Sequence, residues 1–296
     1  GISIDHYLNL GFDFIYIFIE NDQKYNILNP KVTFIIHNYK GDEVIPFIFN
    51  TFIQKQNKKN KIDWVLHVDV DEFLFLKDNI KIQEYISKFD RNNIGQFIFK
   101  WGMIENYRSI DSENDFQNIA NQCNLYANQH YKSMIKLKYL KNGGHPHLAN
   151  IINDTYLDNI KIESKLIGFC EENNNYTNAI LVHYHTRCLE NVFVKALVTN
   201  FKNKRIKNDI IHQKYSTNEL KSKMVKLGLP FVHATDNVLN KKNIVQLIFN
   251  TNTKINNKII HNMLKEVCRI YNVDYNTVIN YIKDLELQYS KHFLSE

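Results

Sequence analysis

Residues 64–71 constrain this chain more than any other stretch. Trp64-Val65-Leu66-His67-Val68 is a nearly continuous apolar run, and it ends abruptly on Asp69-Val70-Asp71-Glu72-Phe73. A short apolar run without alternation is the pattern of a strand covered on both faces. Covering both faces of a sheet takes helices, so an α/β architecture is expected.

The neighbouring segments extend that expectation. Residues 14–19 and 32–36 read as two further buried strands, and residues 97–101 as a fourth. Between them, residues 43–56 carry a helical apolar stripe through Val44, Phe47, Ile48 and Phe52. Strand, helix and strand in succession predict a mostly parallel sheet flanked by helices. Residues 2–10 read as a helix closed by Gly11, where such a domain would first place a strand, so an upstream strand is expected to be missing from this sequence. Residues 106–178 are polar, rich in loops, and contain the turn Gly143-Gly144-His145-Pro146-His147. Strand character returns at 179–185, and residues 189–201 are helical in pattern. From about Ser216 the spacing of apolar residues is three and four, most clearly over 258–271 and 275–293. Two domains are therefore expected, a sheet domain over 1–205 and a helical C-terminal region over 206–296.

Charge and cysteine usage narrow the partners. The net charge is +6, with Lys and Arg spread along the chain, which favours an anionic small ligand over a nucleic-acid surface. Cys123, Cys170, Cys188 and Cys268 are far apart and form no CxxC pair, so neither a zinc ribbon nor a disulfide framework is expected, and a reducing, cytoplasmic compartment fits. No apolar run is long enough to span a bilayer and no signal-peptide pattern opens the chain, so no transmembrane segment is expected, though a peripheral membrane position stays open. The chain has only 9 Gly and 4 Pro against many Asn, Ile and Lys, so its Asn-rich loops are read as composition and not as sites.

The chemistry centres on the strand end. Carboxylates one residue apart on an extended chain project to the same side, and hard oxygen ligands suit Mn²⁺ or Mg²⁺. Ligands of open α/β sheets bind at the carboxyl ends of strands, where Asp69 and Asp71 stand.

Three blocks then bring a family into view. They are His6-Tyr7-Leu8-Asn9-Leu10-Gly11 leading into an apolar strand, Trp64 through Phe73, and His183-Tyr184-His185-Thr186-Arg187-Cys188-Leu189-Glu190 followed by Lys195. In order and spacing they resemble the GT-A glycosyltransferases, specifically the family-2-like and family-92-like group. The resemblance covers most of residues 1–200, excludes the C-terminal helices, and departs at Cys188, where serine is usual.

The resemblance implies a GT-A fold and a metal-dependent transfer of sugar from a nucleotide-diphosphate donor, a UDP-sugar first, to a glycan or glycoconjugate. Asp71 would be the main metal ligand, Asp69 would reach the metal or the ribose, and His183 would be a further ligand. His185 lies on the same strand face as His183 by the two-residue period and is its rival. Transfer with inversion needs a base on the acceptor hydroxyl, for which Glu105, His147 and Glu163 are candidates. Lys132 and Lys136, on one face if that segment is extended, are candidate phosphate or acceptor contacts. Trp101 is a candidate platform for donor or sugar. Two other readings stand beside the transferase: a non-catalytic relative that binds a glycan or a partner, and a nucleotidyltransferase, which would be expected to show a Gly-rich phosphate loop. The C-terminal helices are expected to pack on the sheet domain or to form an assembly surface for a homo-oligomer.

Overall fold

A computed structural model describes residues 2–19, 29–39, 43–60, 62–90, 93–105, 109, 123, 125–141, 145–157, 160–162, 178–186, 188–194, 257–270 and 272–293. The chain divides into two compact units. The first is drawn from Gly1–Met103 and Ala127–His183, the second from Ile104–Tyr126, Tyr184–Val238 and Asn252–Glu296. The expected boundary near residue 205 lies outside the described residues.

In the first unit, α1 (Ile2–Leu10) leads to β1 (Ile15–Ile19) and β2 (Val32–Ile36), which pair in parallel with Ile15 opposite Val32. A helical segment follows, made of α2 (Val44–Pro46), a π-helical stretch Phe47–Ile53, and α3 (Gln54–Asn60). The larger sheet contains β3 (Trp64–Leu66), β4 (Glu72–Leu76), β5 (Ile94–Glu105), β6 (Leu125–Lys136), β7 (Asp154–Leu157), β8 (Ile160–Ile162) and β9 (Ala179–Thr186). Its order is β3-β6-β5-β7-β8, with β9 joining β5 to β4. The helix α4 (Ile82–Phe89) lies between β4 and β5 in sequence.

Helices do cover a sheet, so the α/β class holds. The mostly parallel sheet does not. β3 pairs antiparallel with β6, β4 with β9, and β7 with β8, while β5 and β7 run parallel. The apolar run of β3 correctly signals a doubly covered strand, since Trp64 and Leu66 pack into one apolar cluster and Val65 into another. Double cover, however, says nothing about the direction of the neighbouring strand.

The cluster on one face joins Leu74, Leu76, Phe97, Phe99, Met134 and Leu181 with Ile82, Tyr85 and Phe89 of α4. The other face packs Ile48, Phe49 and Ile53 of the π-helical stretch against Ile135 and Leu137. α1 braces β4: His6 Nε2 donates to the Leu74 carbonyl at 2.7 Å, and Tyr7 Oη donates to the Glu72 carbonyl at 3.0 Å. Only the Nε2–H tautomer can donate there, and burial holds the His6 imidazole down to about 4, so it stays neutral. These bonds fix where β4 starts, and therefore where the acidic turn before it stands.

In the second unit, α5 (Asn257–Ile270) and α6 (Tyr275–Phe293) bear out the C-terminal helical spacing. Residues 189–194 are helical, as their pattern predicts. Ser109 joins two carboxylates there, its hydroxyl donating to Glu190 at 2.6 Å and its backbone N–H to Glu286 at 3.1 Å. Among the described residues, no helix is long and apolar enough to cross a membrane.

Candidate functional site

Asp69 and Asp71 occupy the tight turn between β3 and β4, closed by the Glu72 N–H donating to the Asp69 carbonyl at 3.1 Å. Val70, at the tip, is exposed, whereas Asp71 is buried. The two carboxylates therefore diverge, because a turn does not keep the side-to-side alternation of an extended strand.

Asp71 meets His183. Antiparallel pairing of β4 with β9 sets Glu72 opposite His183, which brings His183 Nε2 to 3.7 Å from Asp71 Oδ1. Ala179, Leu181 and His183 share one face of β9; the first two enter the apolar cluster, and His183 is the residue that reaches the turn. Asp69 turns elsewhere. Its Oδ2 accepts from Lys132 Nζ at 3.0 Å, and Lys132 is only 3% exposed while Asp69 is 56% exposed. Among the described residues, no three His, Cys, Asp or Glu side chains converge as a metal cage.

Glu72 binds this arrangement together. Its Oε2 accepts the Asp69 N–H at 2.8 Å and lies 3.6 Å from Lys132 Nζ. Burial pushes its carboxyl up to about 8; the Lys132 ammonium opposes that rise and the Asp69 and Asp71 carboxylates add to it. Its Oε1 is buried and without a hydrogen-bond partner among the described residues.

Around Trp101 on β5 the structure gathers imidazoles. His130 stacks on the indole with ring centres 5.2 Å apart, while His183 and His147 meet it edge-on at 4.6 Å and 5.7 Å. Lys132 Nζ stands 5.9 Å from the ring centre, near the outer limit of a cation–π contact. One face of Trp101 is thus taken by His130. His147 Nδ1 lies 2.5 Å from the Tyr131 carbonyl. A carbonyl can only accept, so Nδ1 carries the proton and Nε2 keeps its lone pair. Burial, with Lys132 adding to it, holds the His147 imidazole below the usual histidine range. His145 Nδ1 accepts the His147 N–H at 3.2 Å, and its own imidazole is lowered by burial and Lys132.

No family model matches this chain, and no curated protein matches it.

The remaining candidates separate. Lys136 leaves the site: its ammonium pairs with Asp90 at 2.5 Å and lies 5.1 Å over the Trp64 ring. It shares a face of β6 with Lys132, as the alternation predicts, but the sheet carries it toward α4. Glu105 ends β5, and its side chain lies outside the described residues, as does that of His185 on β9. Glu163 lies outside them altogether.

Three participants escape sequence reasoning. Glu72 reads as part of the acidic motif, but its role as the brace between Asp69 and Lys132 does not. His130 has no signal beyond its type. His67 had one, since a histidine interrupts an otherwise apolar run. It packs on Phe49 at 5.9 Å, and burial, reinforced by Lys132, holds it down to about 4.

Proposed function

We propose that this chain is a glycosyltransferase of the GT-A type that uses a divalent cation and a nucleotide-diphosphate sugar. The observation that carries the reading is the approach of the Asp71 carboxylate to the His183 imidazole, from a turn and a strand far apart in sequence. Two ligands about 2.1 Å from one octahedral ion stand about 3 Å apart. The pair therefore has to close by roughly 0.7 Å to receive Mn²⁺ or Mg²⁺, within the reach of side-chain rotation. Two protein ligands suit such ions, which keep several positions for water and phosphate oxygens. When bound, the ion would supply charge neutralisation for the departing diphosphate.

The protein's own groups do the rest. Asp71 and His183 would hold the ion from the turn before β4 and from β9. Trp101 fixes the planes of His130, His147 and His183 relative to one another. His147 is the base of choice: its Nε2 lone pair accepts the acceptor hydroxyl's proton as that oxygen bonds to the anomeric carbon. The bond from that carbon to the diphosphate breaks with its electron pair leaving on the diphosphate, which inverts the centre. The acceptor is a glycan or other hydroxyl-bearing conjugate, and the donor a UDP-sugar.

The ion pair of Lys132 with Asp69, which engages one carboxylate of the acidic pair, favours a second reading, in which the site binds a glycan or a partner without catalysis. Incubation with UDP-, GDP- and TDP-sugars, with Mn²⁺ or with EDTA, separates the two. Metal-dependent release of nucleotide is expected from at least one donor. Release from none, or release indifferent to EDTA, excludes the metal-dependent transferase.

A further inference from the structure

Ser133 on β6 and Gln96 on β5 are polar yet fully buried. By the two-residue period they lie on the face of the sheet opposite Lys132 and Trp101, the face where Ile98, Tyr131 and Leu148 pack together. An aliphatic side chain would fit that face without needing partners, so two buried polar groups there call for a reason. Both are spent on the backbone around His147. The Ser133 hydroxyl donates to the His147 carbonyl, and the Ser133 N–H donates to the Pro146 carbonyl at 2.8 Å. Gln96 Oε1 accepts the Ala149 N–H at 3.2 Å, and its amide nitrogen donates to the Ala149 carbonyl at 3.3 Å and to Thr155 Oγ1 at 2.8 Å. The His147 ring is tied to the same strand, Nδ1–H donating to the Tyr131 carbonyl at 2.5 Å, while its backbone N–H donates to His145 Nδ1 at 3.2 Å. The N–H, the carbonyl and Nδ1 of His147 are thus all engaged, and Nε2 is the one polar atom left to face a substrate.

We propose that Ser133 is the positioning residue of His147, holding its peptide against β6 so that the Tyr131 carbonyl keeps the proton on Nδ1 and the lone pair on Nε2. This rests on the reading of His147 as the base and adds to it the group that keeps the base aimed and in the useful tautomer. A neutral imidazole carries its proton on either nitrogen, and the hydrogen bond made by one nitrogen decides which. That bond is short only while the His147 backbone stays where Ser133 holds it. Without the hydroxyl, the His147 carbonyl loses its donor, its peptide is free to rotate, and the ring is no longer registered on the Tyr131 carbonyl. Gln96 pins Ala149 beyond it, so the loss is confined to His147.

Nitrogen NMR of the whole chain carrying isotope-labelled histidine reads the tautomer without reading activity, and His147→Gln marks which signals belong to His147. At about pH 8, above the ordinary histidine range, wild type should show His147 protonated on Nδ1 and bare on Nε2. Ser133→Ala should lower the ratio of the Nδ1–H form to the Nε2–H form by about five- to tenfold, the worth of one ordinary hydrogen bond. Its kcat should fall about tenfold while KM for the donor stays within about twofold, because Ser133 orients the base and touches no substrate. A His147 tautomer that is the same in Ser133→Ala as in wild type overturns the assignment, and so does the Nε2–H form in wild type. Ser133→Cys, close in size and a weaker donor, is read in the same way if Ser133→Ala fails to fold. A shifted tautomer with kcat unchanged removes His147 as the base and leaves Ser133 as the residue that orients it. A shifted tautomer with no turnover in any of the proteins removes the transferase reading and likewise leaves the positioning in place.

Discussion

At the scale of single residues, two histidines make opposite uses of burial. His147 keeps a lone pair on Nε2 because Nδ1–H is spent on the Tyr131 carbonyl. Its imidazole is held below the usual range near 6.5, so the base form persists into mildly acidic solution. The acid limb of kcat/KM should accordingly fall below pH 6.5, and His147→Ala should lower kcat by about 10²- to 10⁴-fold with the remaining activity losing that limb. A limb unchanged in the variant would assign the base elsewhere. His6 has no such chemistry and titrates only at a cost to the fold. Its pKa is about 4 in the folded chain and about 6.5 when unfolded, so between those values the unfolded state binds the extra proton. Its contribution is fully present above pH 6.5 and is lost as pH falls toward 4, at most about 3 kcal/mol. Thermal unfolding from pH 7 to 4.5 should show a shallower loss in His6→Gln than in wild type; equal slopes would contradict this assignment. Much of the site was legible at this scale. The acidic pair, Lys132, Trp101 and His147 stand out in the sequence as candidates, and His183 does so through the family resemblance. Which of them touch was not legible, because a turn spreads Asp69 and Asp71 apart and the register of β4 on β9 is fixed only by the folded sheet.

Among the elements, the strand that best explains the site is the one the sequence concealed. β6 lies within the stretch that reads as polar and loop-rich. Its even-numbered face carries His130, Lys132 and Lys136 with the buried Met134, so the apolar alternation of a half-buried strand is broken where function is placed. β3, whose side chains serve only the core until His67, was plain. Helices were read well for the same reason: the stripe over 43–56 and the spacing in α5 and α6 serve packing alone. The π-helical character of Phe47–Ile53 had no local signal. Element ends carry their own constraints. Gly11 closes α1 at φ +102°, and a Cβ there would meet Gln83 Oε1 at 2.6 Å. Since α1 aims His6 and Tyr7 at β4, Gly11→Ala should cost about 1–3 kcal/mol through positive φ alone. Chemical denaturation measures this directly, and a neutral substitution would mean that α1 does not hold the turn.

Over the whole molecule, the residues whose side chains meet at the candidate site, from Asp69 to His183, belong to the first compact unit, within Gly1–Met103 and Ala127–His183. The π-helical stretch and α4 clamp the sheet from its two faces, and α1 locks β4 from its start. The consequence is a turn whose backbone is fixed before any ligand arrives, with Asp71 and His183 already near binding distance. The decisive measurement is the paramagnetic signal of free Mn²⁺ titrated into the protein with UDP present. Wild type should remove one Mn²⁺ per chain from solution, and Asp71→Ala and His183→Ala should each weaken that uptake at least tenfold while unfolding within a few degrees of wild type. Uptake that is equally tight in all three proteins would show that the turn and β9 hold no cation.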